Sequence, residues 1–175
     1  NAGSPPTVKS FSSALLALTL ITLSFLIQAA PLNTPKVFDW SLEASTASKG
    51  NKPIMVVFSS DRCNYCDLLN QQVLNPLLKS GDLANRVHLR EFKIDRSGKV
   101  VDFDGDPIRS HIFVSRYNIY ATPTVLLLDQ NGNILGEPIV GFNNPVTYKI
   151  LLDKTIQQAQ SMSHISVEKI VTSLQ

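Results

Sequence analysis

Apolar residues occur along the chain in blocks whose spacing predicts a series of strands. Residues 53–58 form a nearly continuous apolar run with several β-branched side chains, which is typical of a strand buried on both faces. Residues 86–95 alternate between apolar and polar positions, and residues 124–129 are again strongly apolar, so both segments are predicted strands. An Asn-Gly pair at positions 131–132 predicts a hairpin turn, after which residues 134–140 are the expected return strand.

Segments with helical spacing separate these strands. The first is predicted to begin with Ser41 as its N-cap and to stop at Gly50. A second, longer helix is predicted from near Cys63 to a break at residues 80–82, with a kink where Pro76 interrupts its pattern.

Two further helices are predicted in the second half of the chain. One covers residues 109–117 and follows a short strand at residues 100–101. The other opens at residues 144–145 and continues to about residue 160, and residues 167–174 are expected to add one or two helical turns. The expected apolar face of that closing helix consists of Ile150, Leu151, Leu152 and Ile156.

The order of these elements predicts an α/β fold with a central mixed sheet flanked by helices. Its first half can form a parallel βαβ unit, and its second half an antiparallel hairpin closed by a helix. A length of 175 residues is enough for one domain with a proper core. We therefore divide the chain into a leader over residues 1–30, an N-terminal extension over residues 31–51 and a folded domain over residues 52–175.

The leader has the pattern of a targeting segment. Lys9 precedes a dense apolar stretch over residues 14–27, small residues follow at positions 29–30, and the first carboxylate of the chain is Asp39. A positive start, a short apolar core and small residues at its end are typical of a secretory signal peptide. An uncleaved membrane anchor and a buried helix of the domain are the alternatives. The expected location is therefore the periplasm or another exported site, with anchoring through this segment left open.

Composition excludes two classes of protein. The hydrophobic content of 43% and charged content of 17% argue against wholesale disorder. The formal net charge is only +2, and no run of lysine or arginine could neutralise several phosphates, so we expect no nucleic-acid partner.

The two cysteines, Cys63 and Cys66, carry the candidate chemistry. Their spacing puts one thiol at the predicted helix start and the other one turn later on the same face. The amide N–H groups and dipole at a helix start favour negative charge, which lowers the pKa of a thiol there and promotes its reactive thiolate form. Arg62 adds a positive charge beside the first cysteine, and the second thiol can resolve a mixed disulfide.

Two structural roles for the cysteines compete with redox chemistry. A staple that closes so short a loop would contribute only about 2 kcal/mol, the low end of the range for disulfides. A structural zinc site needs four ligands, and His88, His111 and His164 are scattered away from the cysteines. The sequence therefore favours a redox-active pair and predicts no metal site.

Several segments occur in the order found in one large family, and from residue 52 to about residue 160 the sequence resembles the thioredoxin superfamily. The segments that carry the resemblance are residues 53–58, Cys63-Asn64-Tyr65-Cys66, residues 92–95, Tyr117-Asn118-Ile119-Tyr120-Ala121-Thr122-Pro123-Thr124 with the strand that follows, residues 131–132 and residues 140–142. The resemblance implies a thioredoxin fold in which Pro123 is cis and lies against the disulfide, while Thr122 offers backbone groups to a substrate strand.

The same resemblance raises a question about proton handling. Val57 stands where cytoplasmic thioredoxins carry a buried acid that aids proton transfer, and Glu91 stands where they carry a lysine. Glu91 could supply a different carboxylate, and Arg62 and Glu91 are the candidate electrostatic tuning groups. Tyr65, between the cysteines, is a candidate for limiting water access near the thiols or for packing on the domain surface.

Asp61-Arg62 stands where cytoplasmic thioredoxins have an aromatic residue before the first cysteine. The Cys-x-Tyr-Cys motif, the export signal and the extra residues 96–109 look more like periplasmic thioredoxin-related proteins, including the SoxW-type group. This implies an enzyme that exchanges disulfides with protein clients, acts as a reductase or isomerase and receives electrons from a membrane-linked donor, without a cofactor or a large ligand. A thiol oxidase is the alternative, although the chain lacks the large helical insertion of the oxidising periplasmic family. A metal-delivery module that binds Cu(I) through two thiolates is a hypothesis of another class, and a redox-inert domain is a third.

Overall fold

The computed structural model describes residue 3 and residues 39–173, with side chains through residue 163. All of the elements below belong to the unit that spans residues 32–175. The leader, apart from Gly3, lies outside the described residues, so its signal-peptide and anchor interpretations stay predictions, as do the domain boundaries. Within the described ranges, no helix is both long enough and apolar enough to cross a membrane.

The described chain alternates helices with short strands. The elements in chain order are α1 (Trp40–Lys49), β1 (Ile54–Ser59), α2 (Asn64–Leu69), a π-helical turn (Asn70–Leu74), α3 (Asn75–Lys79), α4 (Asp82–Arg86), β2 (His88–Lys93), β3 (Lys99–Val101), β4 (Pro107–Arg109), α5 (Ser110–Arg116), β5 (Thr124–Leu128), β6 (Ile139–Val140) and α6 (Pro145–Ser173).

Four of the strands form the mixed sheet that the sequence predicted. Their order is β2-β1-β5-β6, with β1 parallel to β2 and the other two pairings antiparallel. All six residues of β1 are buried, which confirms that this strand is covered on both faces. Strands β3 and β4 form a separate two-stranded sheet, of which the sequence predicted only the first strand.

The sheet separates two apolar layers. On one face, Met55 and Val57 pack with the inner residues of α2, the π-helical turn and α6. On the other face, Phe58 packs with a cluster of aromatic rings built around Trp40, whose ring stacks on Phe113 with centroids 4.6 Å apart. Each large apolar side chain that is fully buried in this way contributes roughly 1.5–3 kcal/mol to folding.

The β3–β4 hairpin is anchored to the domain by an ion pair with a buried carboxylate and by an aromatic contact. Arg116 donates two hydrogen bonds to the buried carboxylate of Asp102, one of them 2.7 Å long. Burial alone would raise the pKa of Asp102, but the bonds from Arg116 and from the Phe103 N–H outweigh it and lower that pKa. The Phe103 ring lies so close to Gly132 (φ 80°) that an added Cβ would come within 2.6 Å of it.

Two predicted helix features are corrected by the structure. The N-cap of α1 is Asp39 and not Ser41, because the Asp39 carboxylate accepts both the Leu42 N–H at 2.9 Å and the Ser41 hydroxyl at 2.8 Å. The irregularity in the long helix begins before Pro76, as the π-helical turn. A proline has no N–H to continue the α-helical ladder, so the wider turn precedes it and Pro76 takes a position in the first turn of α3.

The return strand and the closing helix also differ from expectation. Of residues 134–140, only Ile139–Val140 is strand, with one bridge from Ile134 to Leu128, because Gly136 has φ 87° and Pro138 lacks an N–H. Helix α6 is one continuous helix that includes the expected tail turns.

The predicted apolar face of α6 was half wrong. Ile150 is 68% exposed and Leu151 is also exposed, whereas Leu152 and Ile156 are buried. The buried stripe follows the spacing of three and four residues along one side of the helix, and its apolar members are Tyr148, Leu152, Ile156 and Ala159.

A second charged cluster joins α1 to the edge strand β2. Glu43 Oε2 lies 2.6 Å from His88 Nε2 and 2.5 Å from Arg90 Nε. Burial is the largest influence on His88 and lowers its pKa, with Arg90 acting in the same direction and the hydrogen bond to Glu43 opposing both.

We predict that His88 makes the folded state less stable as the pH falls below about 6.5, the ordinary value of a histidine pKa. The unfolded chain takes up a proton on His88 before the folded chain does, so the contribution is complete above that pH and is lost as the pH falls toward the lowered pKa of the folded state. In His88→Gln, the melting temperature measured by circular dichroism should therefore fall less between pH 7.5 and 5.5 than in the wild type. His111→Gln, at an exposed histidine, is the matched control and should keep the wild-type dependence. Equal pH dependence in His88→Gln and the wild type would contradict the prediction.

Candidate active site

Cys63 and Cys66 are joined in a disulfide at the start of α2. The S–S distance is 2.08 Å, and Cys63 is the N-cap residue of the helix. Its sulfur accepts the Cys66 N–H at 3.1 Å, so it occupies the place of a capping oxygen. When the pair is reduced, the same amide and the helix dipole favour a thiolate on Cys63.

Cys63 and Cys66 differ in their exposure to solvent. Cys63 is half-buried, whereas Cys66 is only 3% exposed and belongs to the buried side of α2. A molecule that approaches from solvent therefore meets Cys63 first. The burial of β1 produces this arrangement, since the strand ends at Ser59 and only a short turn separates it from Cys63.

A pair of hydroxyl groups lies beside the Cys63 sulfur. The Thr122 hydroxyl donates to Cys63 Sγ at 3.4 Å, and Ser60 Oγ lies 3.3 Å from Thr122 Oγ1. A hydroxyl that donates to sulfur stabilises the thiolate more than the neutral thiol. The sequence resemblance implied a role for the backbone of Thr122 only. The contact of its side chain with Cys63 and the position of Ser60 were not predicted, because they depend on how three separate segments of the chain meet.

The loop that carries Thr122 presents free backbone groups. The Thr122–Pro123 peptide bond is cis, and the Pro123 carbonyl accepts the Gly141 N–H at 2.7 Å. Within residues 39–173, no hydrogen bond engages the backbone N–H or carbonyl of Thr122. These groups are therefore open to another chain.

Two tyrosines flank this region. Tyr65, between the cysteines, is 60% exposed, which does not fit close packing on the domain surface. Tyr120, two residues before Thr122, is 78% exposed and was not singled out from the sequence. A large exposed aromatic side chain is a frequent contact residue in protein interfaces.

Glu91 lies behind the site in a hydrogen-bonded cluster. Its carboxylate accepts the Ser59 hydroxyl at 2.5 Å and lies 3.2 Å from Lys93 Nζ. Val57 pairs directly with Glu91 in the parallel register, so the carboxylate stands on the strand next to the position where a thioredoxin carries its acid. No hydrogen bond joins Glu91 to either cysteine in the described part of the chain.

A cluster of three charged residues, Asp61, Asp95 and Arg96, holds the turn before Cys63. The Asp61 N–H donates to Asp95 Oδ2 at 2.7 Å, and Arg96 forms a salt bridge of 3.0 Å with the Asp61 carboxylate. The hydrogen bond and charge of Asp61 raise the pKa of Arg96 above its ordinary value. Arg62 is exposed and forms no hydrogen bond or ion pair with any residue that the structure describes.

The structure thus brings some of the sequence-predicted residues together and leaves others apart. Cys63, Cys66 and Thr122 are in direct contact, and Tyr65 lies between the cysteines. Neither Glu91 nor Arg62 forms a hydrogen bond with a cysteine sulfur in the described part of the chain. Over the described ranges, no group of three or more histidine, cysteine or acidic residues could hold a metal ion.

The chain is similar to one protein family and to several solved structures. A family model described as a thioredoxin-like domain matches residues 40–156. No curated protein matches the chain.

Solved structures resemble the chain at low identity. A DsbH oxidoreductase is 16% identical, with 75% of this chain and 92% of that chain covered and a TM-score of 0.50, which shows a shared fold. Mitochondrial thioredoxin 3 of Saccharomyces cerevisiae in its oxidised form is 19% identical, with 71% and 93% covered and a TM-score of 0.47. The C-terminal domain of Neisseria meningitidis DsbD in the oxidised form is 15% identical, with 66% and 90% covered and a TM-score of 0.46.

We predict that Thr122→Val slows the reaction of reduced Cys63 with iodoacetamide several-fold at pH 7, because the hydroxyl that stabilises the thiolate is lost. Thr122→Ser keeps the hydroxyl and should react at nearly the wild-type rate. Both variants carry Cys66→Ser, so that alkylation reports one thiol. Equal rates for the valine and serine variants would contradict a role for the hydroxyl.

Proposed function

The chain belongs to the thioredoxin-like domain family, and we propose that it exchanges the Cys63–Cys66 dithiol and disulfide with thiols of client proteins. One observation carries the proposal: the disulfide sits at a helix N-terminus with one accessible and one buried sulfur. A structural staple would gain nothing from a half-buried, accessible sulfur that accepts hydrogen bonds suited to a thiolate.

The reaction in the reducing direction uses both cysteines in turn. The Cys63 thiolate attacks one sulfur of a client disulfide, which forms a mixed disulfide and releases the first client thiolate. The Cys66 thiolate then attacks Cys63 Sγ and releases the second client thiolate. Two electrons pass to the client, the protein is left with the Cys63–Cys66 disulfide, and the client thiolates take up protons according to their pKa.

The surface around the disulfide suits an extended client segment. The free backbone N–H and carbonyl of Thr122 can pair with the backbone of an added strand, which is a common mode of peptide recognition. Tyr65 and Tyr120 can then contact client side chains on either side of the cysteine. Such binding would hold the client sulfur over Cys63 and not over the buried Cys66.

Two charged residues are proposed as tuning groups. Arg62 is adjacent to Cys63 and exposed, so its charge favours the thiolate over the thiol. Val57 stands where thioredoxins carry a buried acid, and Glu91 on the neighbouring strand supplies a carboxylate beside that position. Ser59 and Lys93 hold this carboxylate in place. We propose that it influences proton transfer at the buried cysteine without touching it.

We propose an exported location, a reductase or isomerase direction and a membrane-linked electron donor, as in the SoxW-type group. The leader pattern of residues 1–30 supports export. The direction is supported by the short connection between β2 and β5, which consists of the β3–β4 hairpin and the seven-residue helix α5 and has no large helical insertion.

We predict that Cys63→Ser abolishes the reduction of insulin disulfides, because the attacking thiolate is lost. Cys66→Ser should instead accumulate a mixed disulfide with the client, visible by mass spectrometry and reversed by dithiothreitol, because the resolving thiol is missing. A Cys63→Ser variant that reduces insulin at the wild-type rate would overturn the assignment of the site.

The direction of the reaction is tested by the reduction potential of the pair. A reductase should equilibrate with glutathione or dithiothreitol buffers at about −200 mV or lower, and an isomerase at about −180 mV. A potential of about −120 mV would place the protein with the oxidases and contradict the proposed direction.

A further inference from the structure

A cavity of about 270 Å³ lies beside the turn that leads to Cys63. Its walls come from residues 94–98, which follow β2, and from residues 109–111, at the end of β4 and the start of α5. This volume is below the range of roughly 300–1,000 Å³ typical of small-molecule sites, so it suits one side chain better than a whole ligand.

Hydrogen bonds hold the two walls together. The backbone N–H and the hydroxyl of Ser110 both donate to the Gly98 carbonyl, at 3.0 and 3.1 Å. Arg96 and Asp95, which also line the cavity, are tied to Asp61, the first through a 3.0 Å salt bridge and the second through a 2.7 Å hydrogen bond. The cavity is therefore connected directly to the segment that positions Cys63.

Two guanidinium groups, those of Arg96 and Arg109, line the cavity against one carboxylate, that of Asp95, and His111 lies beside them. Arg96 is paired with Asp61, whereas Arg109 forms no ion pair or hydrogen bond through its side chain with any residue for which the structure gives a position. An unpaired guanidinium at the wall of a cavity is a donor fork suited to a carboxylate.

A second observation points to an anion. Lys99 lies directly opposite Arg109 in the β3–β4 ladder, and Lys99 also has no acidic partner among the described side chains. Like charges directly opposite each other in a ladder destabilise it. A negative group bound at Arg109 would relieve that repulsion, and no carboxylate that the structure describes forms a salt bridge with Arg109 or Lys99.

We infer that this cavity binds an acidic side chain of the client, two to four residues from the client cysteine. Asp61 is two residues from Cys63, which spans at most about 7 Å, and Arg96 reaches from Asp61 to the cavity wall. Two to four residues of extended client chain cover about 7–14 Å, which is at least the span from Cys63 to Asp61 beside the cavity. The inference rests on the proposed function, because it makes the cavity a specificity pocket for the same exchange reaction.

The kinetic test uses two amidated, disulfide-linked fluorogenic peptides that differ only in having Glu or Gln three residues before and after the cysteine. Wild-type protein should reduce the Glu peptide with a kcat/KM about three- to fivefold higher than the Gln peptide, the upper part of the range for an accessible charge pair. The difference in kcat/KM should come from KM and not from kcat, because the cavity binds the client at a distance from the reacting sulfurs. The preference should shrink at high salt.

Variants separate the cavity from general charge effects. Arg109→Gln should reduce the ratio of the two kcat/KM values to about one, and Arg109→Lys should retain part of it. Lys149→Gln, which removes an exposed cation from α6, is the matched control and should keep the full ratio. Unchanged circular dichroism melting of Arg109→Gln checks that the variant is folded.

A binding measurement keeps the inference separate from the proposed function. Fluorescein-labelled peptides with serine in place of cysteine are titrated with the oxidised full chain, and anisotropy should show tighter binding of the Glu peptide. If neither disulfide peptide is reduced but the Glu peptide binds more tightly, the proposed function fails and the acidic-residue pocket stands. If both peptides are reduced and bound equally, or if Arg109→Gln keeps the preference, the pocket is overturned and the exchange activity stands.

Discussion

The burial of β1 on both faces sets the geometry of the whole site. The strand is paired on one edge with β2 and on the other with β5, so its register and its end point are fixed. The chain must leave the core at Ser59, and the turn that follows places Cys63 at the rim of the sheet and Cys66 against the interior. The same pairing brings Glu91 alongside Val57 and brings Thr122, just before β5, next to the sulfur. The different accessibility of the two cysteines is thus a consequence of strand packing.

The added hairpin modifies that scaffold on one side only. Asp102 and Arg116 fix it to α5, and the Phe103 ring fills the space above Gly132. Because the hairpin ends where α5 begins, it carries Arg109 to the wall that faces Arg96. An insertion that leaves the sheet unchanged can in this way supply a charged surface beside the reacting sulfur. Active-site variation on a constant fold is commonly carried by such connecting segments.

Sequence patterns were sufficient to predict the strands whose burial is continuous or alternates regularly. The apolar runs of β1 and β5 and the alternation in β2 are local signals, so the sheet and its mixed pairing could be predicted. The N-cap of α1 could not, because Asp39 and Ser41 are both good capping residues and only the helix geometry chooses between them. The exposure of Ile150 and the two-residue length of β6 also depend on tertiary packing, which the hydrophobic pattern does not contain. At the site, the spacing of the cysteines was visible in the sequence, whereas the contact among Ser60, Thr122 and Cys63 joins residues about sixty positions apart.

The aromatic layer has a spectroscopic consequence. Trp40 is the single tryptophan of the chain, it is fully buried, and it stacks on Phe113 on the face of the sheet opposite α2. Its emission therefore arises from the apolar layer on the face of the sheet opposite the buried side of α2. The indole is a built-in fluorophore that reports the unfolding of this layer.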